Sequence, residues 1–135
     1  MHPNPYNNLL TARSLSPAAR TASANGASVD RAASGAYYQE ALIVVSTGTI
    51  TDGTHTIEVQ DSPDNTNWTA VAADFLQGAE PAIVAADDDR QFDIGYIGDK
   101  RYVRVVVTVA GATTGGVYGA SVVLASPRTA PAVRS

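Results

Sequence analysis

Along residues 37–126 apolar and polar positions alternate with a period of two, in short segments separated by turn residues. That period is the signature of a strand with one buried and one wet face. "YYQEALIVVSTGTI" reads as a long strand that stops at "TDGTH", where Asp52-Gly53 is a favoured turn dipeptide because glycine tolerates positive φ. "HTIEVQ" places His55, Ile57 and Val59 on one face and Thr56, Glu58 and Gln60 on the other. "NWTAVA" follows "DSPDNT", and the longer loop "DFLQGAEPAIVAADDDR" contains a short strand candidate at "AIV". "QFDIGYIG" and "KRYVRVVVTV" meet at Gly98-Asp99, which predicts a type I′ or II′ hairpin, and "VYGASVVLA" closes the set after "GATTGG". In the valine run, Val103, Val105, Val107 and Val109 share the core face, while Tyr102, Arg104, Val106 and Thr108 share the outer one. Short strands, short turns and almost no helical period predict an all-β fold, an antiparallel β-sandwich of Ig-like or jelly-roll-like type.

The flanks read differently. Residues 1–36 are rich in Ala, Ser, Gly and Pro and show no repeated apolar face, so they predict a flexible basic N-terminal arm. Within it "ASVDRA" reads equally well as a short edge strand. Deleting residues 1–30 is then expected to leave the sandwich folded. Residues 127–135 carry Pro127 and Pro131, which remove ladder donors, and predict a short extended C-terminal strap. The expected organisation is an arm over 1–36, one β-sandwich domain over 37–126 and a tail over 127–135.

Charge sharpens this division. Arg13, Arg20 and Arg31 against Asp30 leave the arm at +2, and Arg128 and Arg134 leave the tail at +2. Between them Arg90, Lys100, Arg101 and Arg104 stand against twelve acids, a net −8. An acidic body repels phosphate backbones, so no nucleic-acid partner is expected. No apolar run of about 18 residues predicts a membrane span, and the first residues lack the basic and apolar regions of a secretory signal, so no membrane partner is expected and synthesis is expected in the cytoplasm. The chain has no cysteine, which excludes disulfides, thiolate metal sites and cysteine nucleophiles.

The chemistry-bearing residues are few. There is no G-x-S-x-G, H-E-x-x-H, Walker or Rossmann pattern, so no catalytic residue, no cofactor and no enzymatic activity are expected. His2 lies in the arm, and His55 is expected as a half-buried strand residue rather than a base. Asp87-Asp88-Asp89 lacks the spacing and distal Glu of a calcium loop, so no metal is expected there; a solvated loop, or a partner for an arginine of another subunit, is the expectation. "DSPDNTNW" fits the turn S-x-D-G-x-x-W, with Ser62, Asp64 and Trp68 in place and Asn65 at the glycine position, where a left-handed backbone is needed. Trp68 is expected to plug the core. "GDKRYVR" gathers three of the nine cations within five residues. Two readings stand: a solubilising tip whose cations pair Asp93 or Asp99, and a docking edge in which Tyr102 and Arg104 face a partner while Lys100 and Arg101 steer its approach.

Taken with the arm, "DGTHTIEVQDSPDNTNW" and "IGYIGDKRYVRV" resemble small structural proteins of tailed bacteriophages, over about residues 28–129. The resemblance implies a virion protein with no catalytic residues to transfer. Within that class the expectation is a capsid decoration or cement protein on the outer capsid surface, with the major capsid protein and copies of itself as partners, in a trimer if it sits at three-fold positions. Arg13, Arg20 and Arg31 of the arm, and Arg128 and Arg134 of the tail, are the expected strap contacts. The alternatives are a head-tail connector or tail-tube component, and a host-surface carbohydrate-binding module using Tyr37, Tyr38, Tyr96, Tyr118 and Trp68.

Overall fold

The computed structural model describes residues 4–128. After a single helical turn, α1 (Pro5–Asn8), the chain forms β1 (Leu9–Arg20), β2 (Ala24–Asn25), β3 (Val29–Asp30), β4 (Tyr38–Ile50), β5 (Thr54–Ser62), β6 (Thr69–Ala70), β7 (Leu76–Gln77), β8 (Ala82–Ile83), β9 (Gln91–Tyr96), β10 (Tyr102–Ala110) and β11 (Gly116–Pro127). Sheet A runs β1-β11-β4-β9-β7, and sheet B runs β2-β10-β5-β6, with β3 also on β10 and β8 also on β5. Every pairing is antiparallel. The protein is an all-β antiparallel sandwich, as the alternation predicts.

The core lies where the period-two faces meet. From sheet A, Ile43, Val45, Ile94, Tyr96, Val122 and Leu124 point inward; from sheet B come Ile57, Val59, Val103, Val105 and Val107, all essentially inaccessible to water. Each such side chain contributes roughly 1.5–3 kcal/mol of apolar transfer. Val109, at the end of the valine run, is only partly buried.

Two expectations are corrected here. The first concerns the arm. Residues 9–20 form an edge strand of sheet A, in register with β11 from Leu9↔Ala125 to Arg20↔Gly116 and interrupted by bulges around Leu15. The chain then crosses over, and β2 and β3 cover the edge of β10. Ser14 fastens this crossing: its Oγ donates to the Ala27 carbonyl at 2.7 Å and accepts from the Val105 N–H at 2.9 Å. Gly26 lies so close that a Cβ would stand 2.5 Å from the Val105 carbonyl oxygen and 2.6 Å from Ser14 Oγ. What drives the ordering is the edge itself. An uncovered β11 or β10 leaves a row of ladder groups unpaired, and Leu15 and Val29 bring apolar surface to the core. Of the proposed tail, Pro127 still pairs with Tyr38 in β11, and Arg134, like His2, lies outside the described residues.

The second correction concerns Gly98-Asp99. No hairpin forms there, because β9 belongs to sheet A and β10 to sheet B, so residues 97–101 cross between the sheets. Tyr96 sets the crossing. Its ring is buried and its hydroxyl donates to Asp61 Oδ2 of β5 at 2.8 Å, tying the end of β9 to the opposite sheet. Burial and that carboxylate push the Tyr96 hydroxyl pKa up. Gly98 passes so near that a Cβ would lie 2.5 Å from Tyr96 Oη.

Candidate functional site

The outward face of sheet B holds the residues that sequence grouped as a docking edge. Tyr102 and Arg104 alternate with the buried Val103 and Val105, so both project outward. Arg104 sits opposite Gln60 in the ladder, and its Nε and Nη2 both donate to Gln60 Oε1, at 2.9 and 2.8 Å. The same guanidinium lies 4.4 Å above the centroid of the Trp68 ring. Trp68 is therefore not a core plug. It precedes β6, a two-residue edge strand whose residues are both exposed, and that position carries the ring onto the outer face beside Arg104. The turn before it forms as predicted: Asn65 adopts φ 63°, and Asp64 Oδ1 accepts from the backbone of Thr66 and Asn67 at 3.0 and 2.9 Å.

At the sheet end Arg101 makes a two-pronged pair with Asp30 of β3, Nε to Oδ1 at 2.8 Å and Nη2 to Oδ2 at 2.9 Å, and stacks 5.0 Å from the Tyr102 centroid. Lys100 Nζ lies 3.8 Å from Asp61 Oδ1. These partners replace Asp93 and Asp99 of the tip reading. Lys100 and Arg101 keep 40% and 48% of their side-chain surface exposed, so the pairing orients them without removing them from the surface. The face thus presents an ordered array of Trp68, Arg104, Tyr102 and Arg101 beside Lys100.

The strap arginines separate. Arg13 is exposed on β1. Arg20 donates to the Ser16 carbonyl and approaches the Tyr118 ring at 6.0 Å. Arg31 is no contact residue: it is 2% exposed and donates through Nε to the Lys100 carbonyl at 2.8 Å, Nη1 to Tyr38 at 2.9 Å and Nη2 to Gly98 at 3.2 Å. It also lies 5.2 Å from the Tyr96 ring centroid. Five fixed N–H donors suit arginine to gathering several carbonyls in a crossing that has no ladder partner. Arg128 is exposed and stacks 5.2 Å from Tyr37.

Most other titratable groups act on the chain itself. His55 is fully buried rather than half-buried. Its Nε2 faces the Asp52 carbonyl at 3.0 Å and so carries the proton, leaving Nδ1 to accept from the Tyr118 hydroxyl at 2.8 Å. Burial pushes that hydroxyl's pKa up to about 12. Asp87 accepts from the Val84 N–H and Arg90, and Asp88 from the Ile50 N–H, so two of the three clustered carboxylates cap backbone or pair within the chain. Asp52 accepts from the Gly115, Thr114 and Thr113 amides.

Those amide bonds, Gly115 and Thr114 foremost, hold Asp52 below the ordinary carboxylate value; the Asn67 and Thr66 amides do the same for Asp64, and the Arg101 pair for Asp30. A depressed folded-state pKa stabilises the fold above the unfolded value of 3.8 and loses that contribution as pH falls through the folded values. The urea midpoint is therefore expected to fall between about pH 5 and pH 2, and to fall less in Asp52→Asn. A midpoint constant down to pH 2 contradicts these caps.

Neither a scan of protein-family models nor a search of the curated proteins finds a match to this chain.

Proposed function

We propose that this chain is a non-enzymatic structural protein of a tailed-bacteriophage virion, a decoration or cement protein that binds the outer capsid surface and stabilises the shell. The observation that supports this reading is the preordered outer face of sheet B, with Arg104 stacked on Trp68 and Arg101 on Tyr102. Trp, Tyr and Arg are enriched among the few residues that dominate the energy of protein interfaces. Fixing their rotamers before contact lowers the entropy cost of docking. Asp61 and Asp30 offset much of the charge of Lys100 and Arg101, so Arg104, held by the neutral Gln60, supplies positive charge for an acidic partner surface, the major capsid protein in this reading. Many copies on one lattice then give avidity that a single modest contact lacks. The carbohydrate alternative loses its platform, since Tyr38, Tyr96 and Tyr118 are buried and Arg104 covers one face of Trp68.

The test is occupancy of capsids assembled without this chain, incubated with purified protein. Tyr102→Ser/Arg104→Ser is expected to lower occupancy at least about tenfold, as loss of interface anchors does. Its melting temperature should drop by only a few degrees, because an exposed cation–π contact is worth about 0.5–1 kcal/mol. Unchanged occupancy would sink the docking face, and a collapsed melting transition would make the two residues structural.

A further inference from the structure

The outer face of sheet A carries a second pattern, fixed by strand register. One row of cross-strand neighbours runs Arg13, Ser121, Val44, Asp93 from β1 across β11 and β4 to β9. The next row places Val123 beside Leu42 on the same two central strands. Their sequence neighbours Ile43, Val45, Val122 and Leu124 fill the core, so these side chains project outward. Leu42 is 39% exposed, and Val44 and Val123 are partly exposed. The apolar centre is thus flanked by a cation at one end of the row and an anion at the other. Arg13 and Asp93 are both exposed, and neither side chain has a hydrogen bond or ion pair among the described residues.

We propose that this face binds a second copy of the chain across a two-fold axis that runs parallel to the strands, between β11 and β4. That operation exchanges the two ends of the row. Arg13 of each copy comes to face Asp93 of the other, twice per dimer, while Leu42 meets Val123 and Val44 meets Ser121. A self-complementary patch of this kind is what an isologous contact requires. Two sheets stacked face to face keep their strands within about 30° of parallel, so the operation matches a packing geometry that sheets adopt. The opposite arrangement, an axis across the strands, leaves Asp93 facing the acidic side of its partner and offers no charge match. The proposal concerns the isolated chain and does not rest on the virion reading, so either can fail alone.

The experiment is sedimentation equilibrium of the full chain over a wide concentration range. The parent protein is expected to move between 14.0 kDa and twice that mass. Arg13→Asp alone and Asp93→Arg alone are each expected to weaken the dimer roughly 100-fold, because each places two like-charged pairs in the contact, at about tenfold apiece. The double variant Arg13→Asp/Asp93→Arg restores opposite charges and is expected to recover the parent association. Both positions are exposed, and circular dichroism of each variant checks that folding is retained. A parent that stays monomeric at all concentrations overturns the proposal, and so does a dimer indifferent to the single substitutions or not rescued by the double.

Discussion

A chain lacking residues 1–30 is expected to lose its cooperative thermal transition. The deletion removes β1 from the edge of β11, and with it β2 and β3 from the edge of β10. Leu15 and Val29, both nearly inaccessible to water, leave the core, at roughly 1.5–3 kcal/mol each. Removal of Ser14 also strands the buried Val105 N–H, at about 1–3 kcal/mol. These losses, together with two uncovered sheet edges, are comparable to the total stability of about 5–15 kcal/mol of a small domain. Calorimetry should show a broad, low-enthalpy or absent transition where the full chain melts sharply. A sharp transition like the parent's would mean that the N-terminal strands are appended to the sandwich rather than part of it.

Arg31→Met is expected to cost at least about 3 kcal/mol, from three carbonyls left without their donor at about 1–3 kcal/mol each where buried. Methionine fills much of the volume yet leaves the carbonyls of Tyr38, Gly98 and Lys100 without the donors they have in Arg31. The damage should concentrate in the 97–101 crossing, so trypsin is expected to cut after Lys100 and Arg101 at least about tenfold faster, following the increased population of the open loop. Arg31→Lys keeps the charge but loses the fork, and should fall between the two. Parent-like melting and proteolysis of Arg31→Met would show that the crossing is held by Tyr96 and Asp61 without it.

The parts of the fold legible in sequence are those in which one strand carries its own alternation. The valine run and "HTIEVQ" bury the predicted faces because each lies in the middle of a sheet with partners on both sides. β1 was illegible for the opposite reason. In "LLTARSLSPAAR" two adjacent residues, Ser14 and Leu15, are buried and bulges break the register on either side of Leu15; its order comes from the β11 edge, which lies more than 90 residues away. The Gly98-Asp99 turn signal was real in composition, but the fate of the chain beyond it depends on Tyr96 reaching Asp61 across the core. A buried arginine capped by carbonyls has no local signature at all, which is why Arg31 read as an arm contact. On the outer face of sheet B, the grouping of Tyr102 with Arg104 followed from period two. Their companions Gln60 and Asp30 come from other strands and are brought there by the register, and Trp68 comes from the turn before β6.

Whether this chain decorates a phage shell, as proposed above, is decided by counting it in purified particles against the major capsid protein by quantitative mass spectrometry. A decoration protein is expected at one copy per capsid subunit, or at a ratio of small integers, sustained across preparations. A ratio of a few copies per hundred capsid subunits would contradict it and move the protein to the neck or tail, where the sheet B face would be a ring contact.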